Sequence, residues 1–311
     1  MSVIKRRKVM MAAVIAAIAV FVASAIAAGA NLSGYERLKD AGFQLINDMN
    51  KTNGVYSNGT YWINMVFYVD GSEVLRTEQT VMMDGSRELE SNTRTSNGEG
   101  YAGAPFFSYP YNDHSVTYTD KDVVYRWHGN GGFQEYDNFY GKYRRQNDAE
   151  YDDAVLPAQR RFMEAIADAL IGETRNYFIA YDNVVSISLS GNQIPEIAQY
   201  AMAAFAERAS DMGAYNDEDG HLIGADARFS NGMLEIRFGE GNMIIGGELS
   251  VEIVSTVNGQ PRSYRAFVEY SSMNIGTTTV PKPEKNQYGM PVLPSFNEDG
   301  AVTFALPALF I

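Results

Sequence analysis

An Asp-Gly or Asn-Gly dipeptide interrupts β-prone runs of this chain at five places: Asp70-Gly71, Asp84-Gly85, Asp219-Gly220, Asn231-Gly232 and Asn258-Gly259. These dipeptides tolerate the positive φ of two-residue hairpin turns, so each marks a point where a strand is expected to fold back on its predecessor. The runs between them alternate with period two, which puts every second side chain on one face of a sheet. Residues 61–69, 73–83 and 184–190 are the clearest, and residues 225–229, 233–238, 244–256 and 262–275 follow later. A chain of this kind folds as an antiparallel meander. A parallel sheet is disfavoured, because too few helical stretches are present to supply crossovers.

Three stretches have helical spacing instead. Ser33-Gly34-Tyr35-Glu36 fits a capping box, after which Leu38, Ala41, Leu45 and Met49 recur three or four residues apart. That helix is expected to end near Asn53-Gly54. Residues 157–171 place Phe162, Ile166, Ala169 and Leu170 on one side and stop at Gly172. A third helix starts at Pro195, runs to about Asp211, and carries Ile197, Ala201 and Phe205 on one side. The expected fold class is therefore α+β, an antiparallel sheet with about three packed helices.

At the N-terminus, Lys5, Arg6, Arg7 and Lys8 precede an uncharged run, residues 9–30, that is apolar apart from Ser24 and Gly29. As a helix it would span about 33 Å, enough to cross a hydrocarbon core of roughly 30 Å. Two readings follow: a retained single-pass membrane helix, or a signal cleaved at a small-x-small site such as Ala23-Ser24-Ala25, Ala25-Ile26-Ala27 or Ala28-Gly29-Ala30. In both, the basic end stays in the cytoplasm and the rest is extracytoplasmic, on the cell membrane or secreted. The expected organisation is residues 1–30 as signal anchor or signal peptide, 31–285 as one domain, and 286–311 as a proline-containing tail.

Composition narrows the chemistry. With no cysteine, disulfides, zinc-thiolate sites and a lipid-modified cysteine are excluded. A formal charge of −13, more negative still beyond the basic N-terminal cluster, repels phosphate backbones, so nucleic acid is a poor partner. The three histidines, His114, His128 and His221, lack metal-ligand spacing, and no G-x-S-x-G elbow occurs. The glycines at 129–132 lack the Lys-Ser/Thr of a phosphate loop. Asn216-Asp217-Glu218-Asp219-Gly220 is the best acidic cluster, yet an EF-hand register would put Tyr215 at position one and Asp226 at position twelve. No catalytic residue, metal or cofactor is assigned, and the chain is read as a non-enzyme.

The opening helix followed by the Asp70-Gly71 hairpin resembles the start of the LolA/LppX-like carrier and sensor domains of bacterial cell envelopes. The strand at 184–190 running into Ile194-Pro195-Glu196-Ile197 is similar to their strand-to-helix lid. Phe267-Val268-Glu269-Tyr270-Ser271, leading to Asn274-Ile275-Gly276-Thr277-Thr278-Thr279-Val280-Pro281, resembles their final strand. The resemblance implies a curved sheet, a half-barrel closed by helices over an apolar pocket for acyl chains or other hydrophobic ligands.

The expected function is accordingly an extracytoplasmic, membrane-tethered domain that binds a lipid or other hydrophobic ligand as a carrier or sensor. Strand parity and helix faces nominate Met65, Phe67, Val185, Ile187, Ile197, Phe205, Ile236 and Phe238 as pocket walls. Residues 97–151 support an alternative. They hold nine tyrosines together with Phe106, Phe107, Trp127, Phe133 and Phe139. Tyr109, Tyr111, Tyr118, Tyr125 and Trp127, if exposed together, would form a surface for glycan or an envelope protein.

Overall fold

The computed structural model describes residues 32–49, 55–96, 111–120, 122–128, 133–137, 177–196, 198–200, 202–204, 224, 226–257, 259–292, 294–296 and 302–304. Helix α1 (Leu32–Met49) leads through a helical turn at Val55–Ser57 into the first half of a sheet. That half contains β1 (Asn58–Val69), β2 (Ser72–Asp84), β3 (Glu88–Ser96), β4 (Tyr111–Thr119), β5 (Val123–His128) and β6 (Phe133–Asp137). The second half contains β7 (Ile179–Tyr181), β8 (Val184–Ser190), β9 (Arg228–Phe238), β10 (Ile244–Val257) and β11 (Gln260–Met273). All eleven pair antiparallel in the order β6-β5-β4-β3-β2-β1-β11-β10-β9-β8-β7. Neighbours are consecutive in sequence everywhere except at the β1–β11 pair. A separate hairpin joins β12 (Pro294–Phe296) to β13 (Val302–Phe304).

Local turn chemistry explains most of the strand ends. Asp70 and Gly71 both take positive φ, 48° and 82°, between β1 and β2. The Asp70 carboxylate accepts a 2.9 Å hydrogen bond from Ser263 N and pairs with Arg262, which ties this hairpin tip to β11. Gly85 follows β2 at φ 80°, and Gly259 turns β10 into β11 at φ 74°. Asp182, at φ 47°, turns β7 into β8 without any glycine. The dipeptide Asn231-Gly232 behaves differently and lies inside β9. Gly232 is buried opposite Val251 and Leu189, while Asn231 Nδ2 donates to Glu252 Oε2 at 2.6 Å. The β9–β10 register slips beside it, between Glu252 and Ile253, so a bulge forms where a turn was expected. Asp219-Gly220 lies outside the described residues.

The expected α+β class with about three packed helices is corrected to a mainly-β fold dominated by one antiparallel sheet of eleven strands. Among the described residues, α-helix is confined to α1 and to positions between 196 and 204, with short 3-10 turns at Val55–Ser57 and Glu240–Asn242. The expected helix at 157–171 lies outside the described residues. α1 begins at Leu32, one residue before the expected cap Ser33, and its last residue is Met49. The packed-helix picture attached to the LolA/LppX-like resemblance is corrected with the class, because among the described residues period-two strands supply most of the fold. No transmembrane helix is among the described elements of this structure. Residues 9–30 lie outside the described ones, and among the described residues no helix is long and apolar enough to cross a membrane.

The sheet buries opposite faces in its two halves. Tyr35, Leu38 and Ala41 of α1, with Ala198 and Met202, cover one face of β8, β9 and β10. There Val185, Ile187, Leu234, Phe238 and Leu249 are all buried. In the other half the buried residues are Met82, Leu89, Val116, Tyr118 and Trp127, joined by Val280 from the segment after β11. Met82, Leu89, Tyr118 and Tyr125 are cross-strand partners in one row, and Val116 and Trp127 in the next. That row starts at Thr60 of β1, whose neighbour Tyr61 belongs to the face covered by α1. The two cores therefore lie on opposite sides of one continuous sheet.

Candidate ligand-binding face

Directly paired residues of an antiparallel sheet share a face, so the register traces rows across the strands. One row, on the face that α1 covers, runs Val185, Ile236, Gly247, Tyr270, Ile63, Gln79, Asn92, Ser115, His128. The next runs Ile187, Leu234, Leu249, Val268, Met65, Thr77, Arg94, Asp113. Each is apolar as far as β1 and polar from β2 onward. A third, Leu189, Gly232, Val251, Ala266, Phe67, Leu75, Ser96, turns polar one strand later.

Cover over these rows is uneven. Beneath the helices, Val185 and Ile187 keep 1% of their surface and Leu249 5%. On β11 and β1, Ile63, Met65, Phe67, Val268 and Tyr270 are only half-buried. An apolar strip about two strands wide, roughly 5 Å between strand axes, thus separates the packed core from the polar half of the same face.

Two tyrosines border this strip. Tyr61 OH donates a 2.6 Å hydrogen bond to Tyr56 O, and its ring stacks on Tyr270 with centroids 6.4 Å apart. Burial, and then the neighbouring Tyr56, push the Tyr61 pKa up to about 12. Burial also raises that of Tyr270. Both are neutral hydroxyls at ordinary pH, so this border carries no charge; that of Tyr61 is committed to Tyr56, and that of Tyr270 is buried.

The polar half is tied across its strands. Gln79 Nε2 donates to Glu90 Oε1 at 2.8 Å, and Arg126 Nε donates to Thr117 Oγ1 at 3.3 Å. Arg94 and Asp113 are register partners on β3 and β4. Arg94 and Arg126 therefore share the face with Glu88, Glu90 and Asp113, two positive charges and three negative.

The residues nominated as pocket walls divide. Val185, Ile187, Ile236 and Phe238 come together, but in the packed core under the helices. Phe238 is fully buried, with the Arg37 guanidinium of α1 4.3 Å from its ring centroid. Met65 lies on the half-buried strip. Phe67, at its edge, also packs against the small core of Val69, Val74 and Tyr264. Ile197 and Phe205 lie outside the described residues. Ile63, Val268 and Tyr270 complete the strip and were not nominated. Ile63 shares the strand parity of Met65, whereas the two β11 residues emerge only once β11 is paired with β1.

The aromatic candidates form a different structure. Tyr118 and Trp127 are buried, with 2% and 8% of their surface exposed, and Tyr125 is half-buried. Tyr125 stacks on Tyr118 and meets Trp127, with centroids 6.0 Å apart in each case. Their expected exposure is corrected for Tyr118 and Trp127, because both pack into a core with Met82, Leu89, Val116 and Val280. Tyr109 lies outside the described residues, and of Tyr111 only the backbone is described.

The remaining polar candidates serve local structure. His114 Nδ1 lies 3.0 Å from Thr93 Oγ1, and His128 Nε2 lies 3.4 Å from Gln134 Oε1 on the opposite face. Asp226 Oδ1 accepts a 2.7 Å hydrogen bond from Thr256 N. Residues 216–220 and His221 lie outside the described residues. Among the described residues no three His, Asp or Glu side chains converge as a metal site.

No family model matches this chain, and no curated protein matches it. Among solved structures, a porin-like protein from Bacteroides uniformis ATCC 8492 is similar at 10% identity over 69% of this chain and 96% of that one. Its TM-score of 0.19 carries no argument about fold or function.

Proposed function

We propose that this chain is an extracytoplasmic domain that holds a lipid or another hydrophobic ligand on the half-buried strip of β1 and β11. The observation that carries the reading is the step in burial along one apolar row. Ile187, Leu234 and Leu249 are covered by helices, and the row then continues through Val268 and Met65 with partial cover. Apolar side chains aligned beside a finished core gain roughly 25 cal/mol per Å² when a ligand takes them out of water. The basic cluster at residues 5–8 and the apolar run at 9–30 support export.

The test is native mass spectrometry of gently purified protein, with organic extraction of whatever is bound. A stoichiometric lipid or isoprenoid in the wild type, absent from a Met65→Asp, Val268→Asp variant with unchanged circular dichroism, is the expected result. A clean apo mass that takes up no added fluorescent lipid would sink the reading.

A further inference from the structure

From the same rows we infer that the ligand is an amphiphile whose head group is uncharged and rich in hydroxyls, as in a glycolipid. The inference rests on the hydrophobic-ligand reading above and adds the chemistry of the other end. From Ile63 to Phe67 the apolar strip extends along β1 for about 13 Å at roughly 3.3 Å per residue, the reach of a medium acyl chain. One strand further, the rows present Thr77 and Gln79, then Asn92 and Arg94, then Asp113 and Ser115. A molecule lying on β1 and β11 therefore has its other end within one or two strand spacings of these groups.

The residue types select the head group. Gln79 and Asn92 each offer a donor and an acceptor on one amide, the combination that pairs with adjacent hydroxyls. Ser115 adds a hydroxyl to the Gln79–Asn92 row. Arg94 shares a row with Asp113 and Arg126 shares one with Glu90, so these charges are matched in place, and Glu88, two rows from Asn92, is the one in excess. An anionic head group would face Asp113 and Glu90, and a cationic one Arg94 and Arg126. Each would lose hydration against charges that already share a row with an opposite one. A polyhydroxyl group carries no such cost, and charged and amide side chains alike hydrogen-bond to it.

The experiment keeps the tail constant and varies the head. The full chain is titrated, below the micelle concentration of each, with dodecyl maltoside, dodecanoate, dodecyltrimethylammonium and dodecylphosphocholine. Maltoside is expected to bind about tenfold more tightly than each of the other three, the worth of one or two net hydrogen bonds. Asn92→Leu and, separately, Ser115→Ala should shrink that preference to about twofold while binding of the other three is unchanged. An ionic or zwitterionic amphiphile binding as tightly as maltoside overturns the inference, as does a preference that survives both substitutions. Equal binding of all four defeats the head-group inference and leaves the hydrophobic-ligand reading standing. Binding of none defeats both.

Discussion

Val280 N donates a 3.1 Å hydrogen bond to Asp84 Oδ2, which fastens the chain leaving β11 to the end of β2. The other carboxylate oxygen accepts from Ser86 N at 3.1 Å and Arg87 N at 2.9 Å, and Arg87 Nη2 stands 2.9 Å from Oδ2. Only 7% of the Asp84 side chain is exposed. This carboxylate holds Val280 against the aromatic layer of Tyr118 and Trp127. Asp84→Ala strips the acceptor from these donors at once and is expected to cost about 2–3 kcal/mol. Urea unfolding measures the loss, and an unchanged midpoint would rule out the fastening role.

The same group sets an acid limit. Burial opposes its charge, but hydrogen bonds from Val280, Ser86 and Arg87 outweigh that and lower its pKa. A carboxyl lowered on folding contributes stability that is fully present above its unfolded value, near ~3.9, and is lost as pH falls through its folded value. In a Trp62→Phe background, Trp127 fluorescence should therefore stay constant down to about pH 4 and change below it. Asp84→Asn should flatten that acid limb. A Trp127 transition near neutrality would contradict the assignment.

Neighbours in one row should behave differently when truncated. Ile187, in the covered core, is expected to lose about 2–5 kcal/mol as Ile187→Ala. Met65→Ala, on the half-buried strip, should cost about 1 kcal/mol and weaken lipid uptake severalfold. Parallel unfolding curves and fluorescent-lipid titrations read the two effects. Equal destabilisation by both would place Met65 in the packed core.

Gly247 is required by a close approach. A Cβ there would stand 2.6 Å from Glu235 O and 2.7 Å from Ile236 Cδ1. The isoleucine tip can rotate away, but the carbonyl belongs to the neighbouring strand. Gly247→Ala is expected to destabilise by about 1–3 kcal/mol, while Gly71→Ala, strained by its φ of 82° but free of any close contact, should cost about 1 kcal/mol. Thermal unfolding of both variants would show whether the interior position is the more sensitive.

What the sequence made legible was local. Strand β8 coincides with the alternating run 184–190, and the Asp70-Gly71 hairpin forms where its dipeptide requires positive φ at two residues. Asn231-Gly232 misled because a turn preference counts only adjacent residues. Burial opposite Val251 and Leu189 outweighs it and leaves a bulge. Alternation also marks which residues share a face without saying which face is covered. The burial of Tyr118 and Trp127 depends on Val280, far away in the chain. The site was half legible for the same reason: β1 parity marks Met65 and Phe67, whereas Val268, Tyr270 and the polar rows appear only with cross-strand register.

Placing β1 beside β11 puts the longest loop closure of the sheet at its midline, where Thr60 meets Met273. The strands on either side are meanders of consecutive neighbours, while the core of one half takes in α1 from before β1 and that of the other takes in Val280 from after β11. Joining them docks those segments and zips a seam of ten residue pairs from Thr60–Met273 to Val69–Tyr264. Folding speed should follow that seam, and so should the slowest amide exchange. The half-buried apolar strip lies along it, so a molecule bound there would span the joint between the two halves and act as a staple across it.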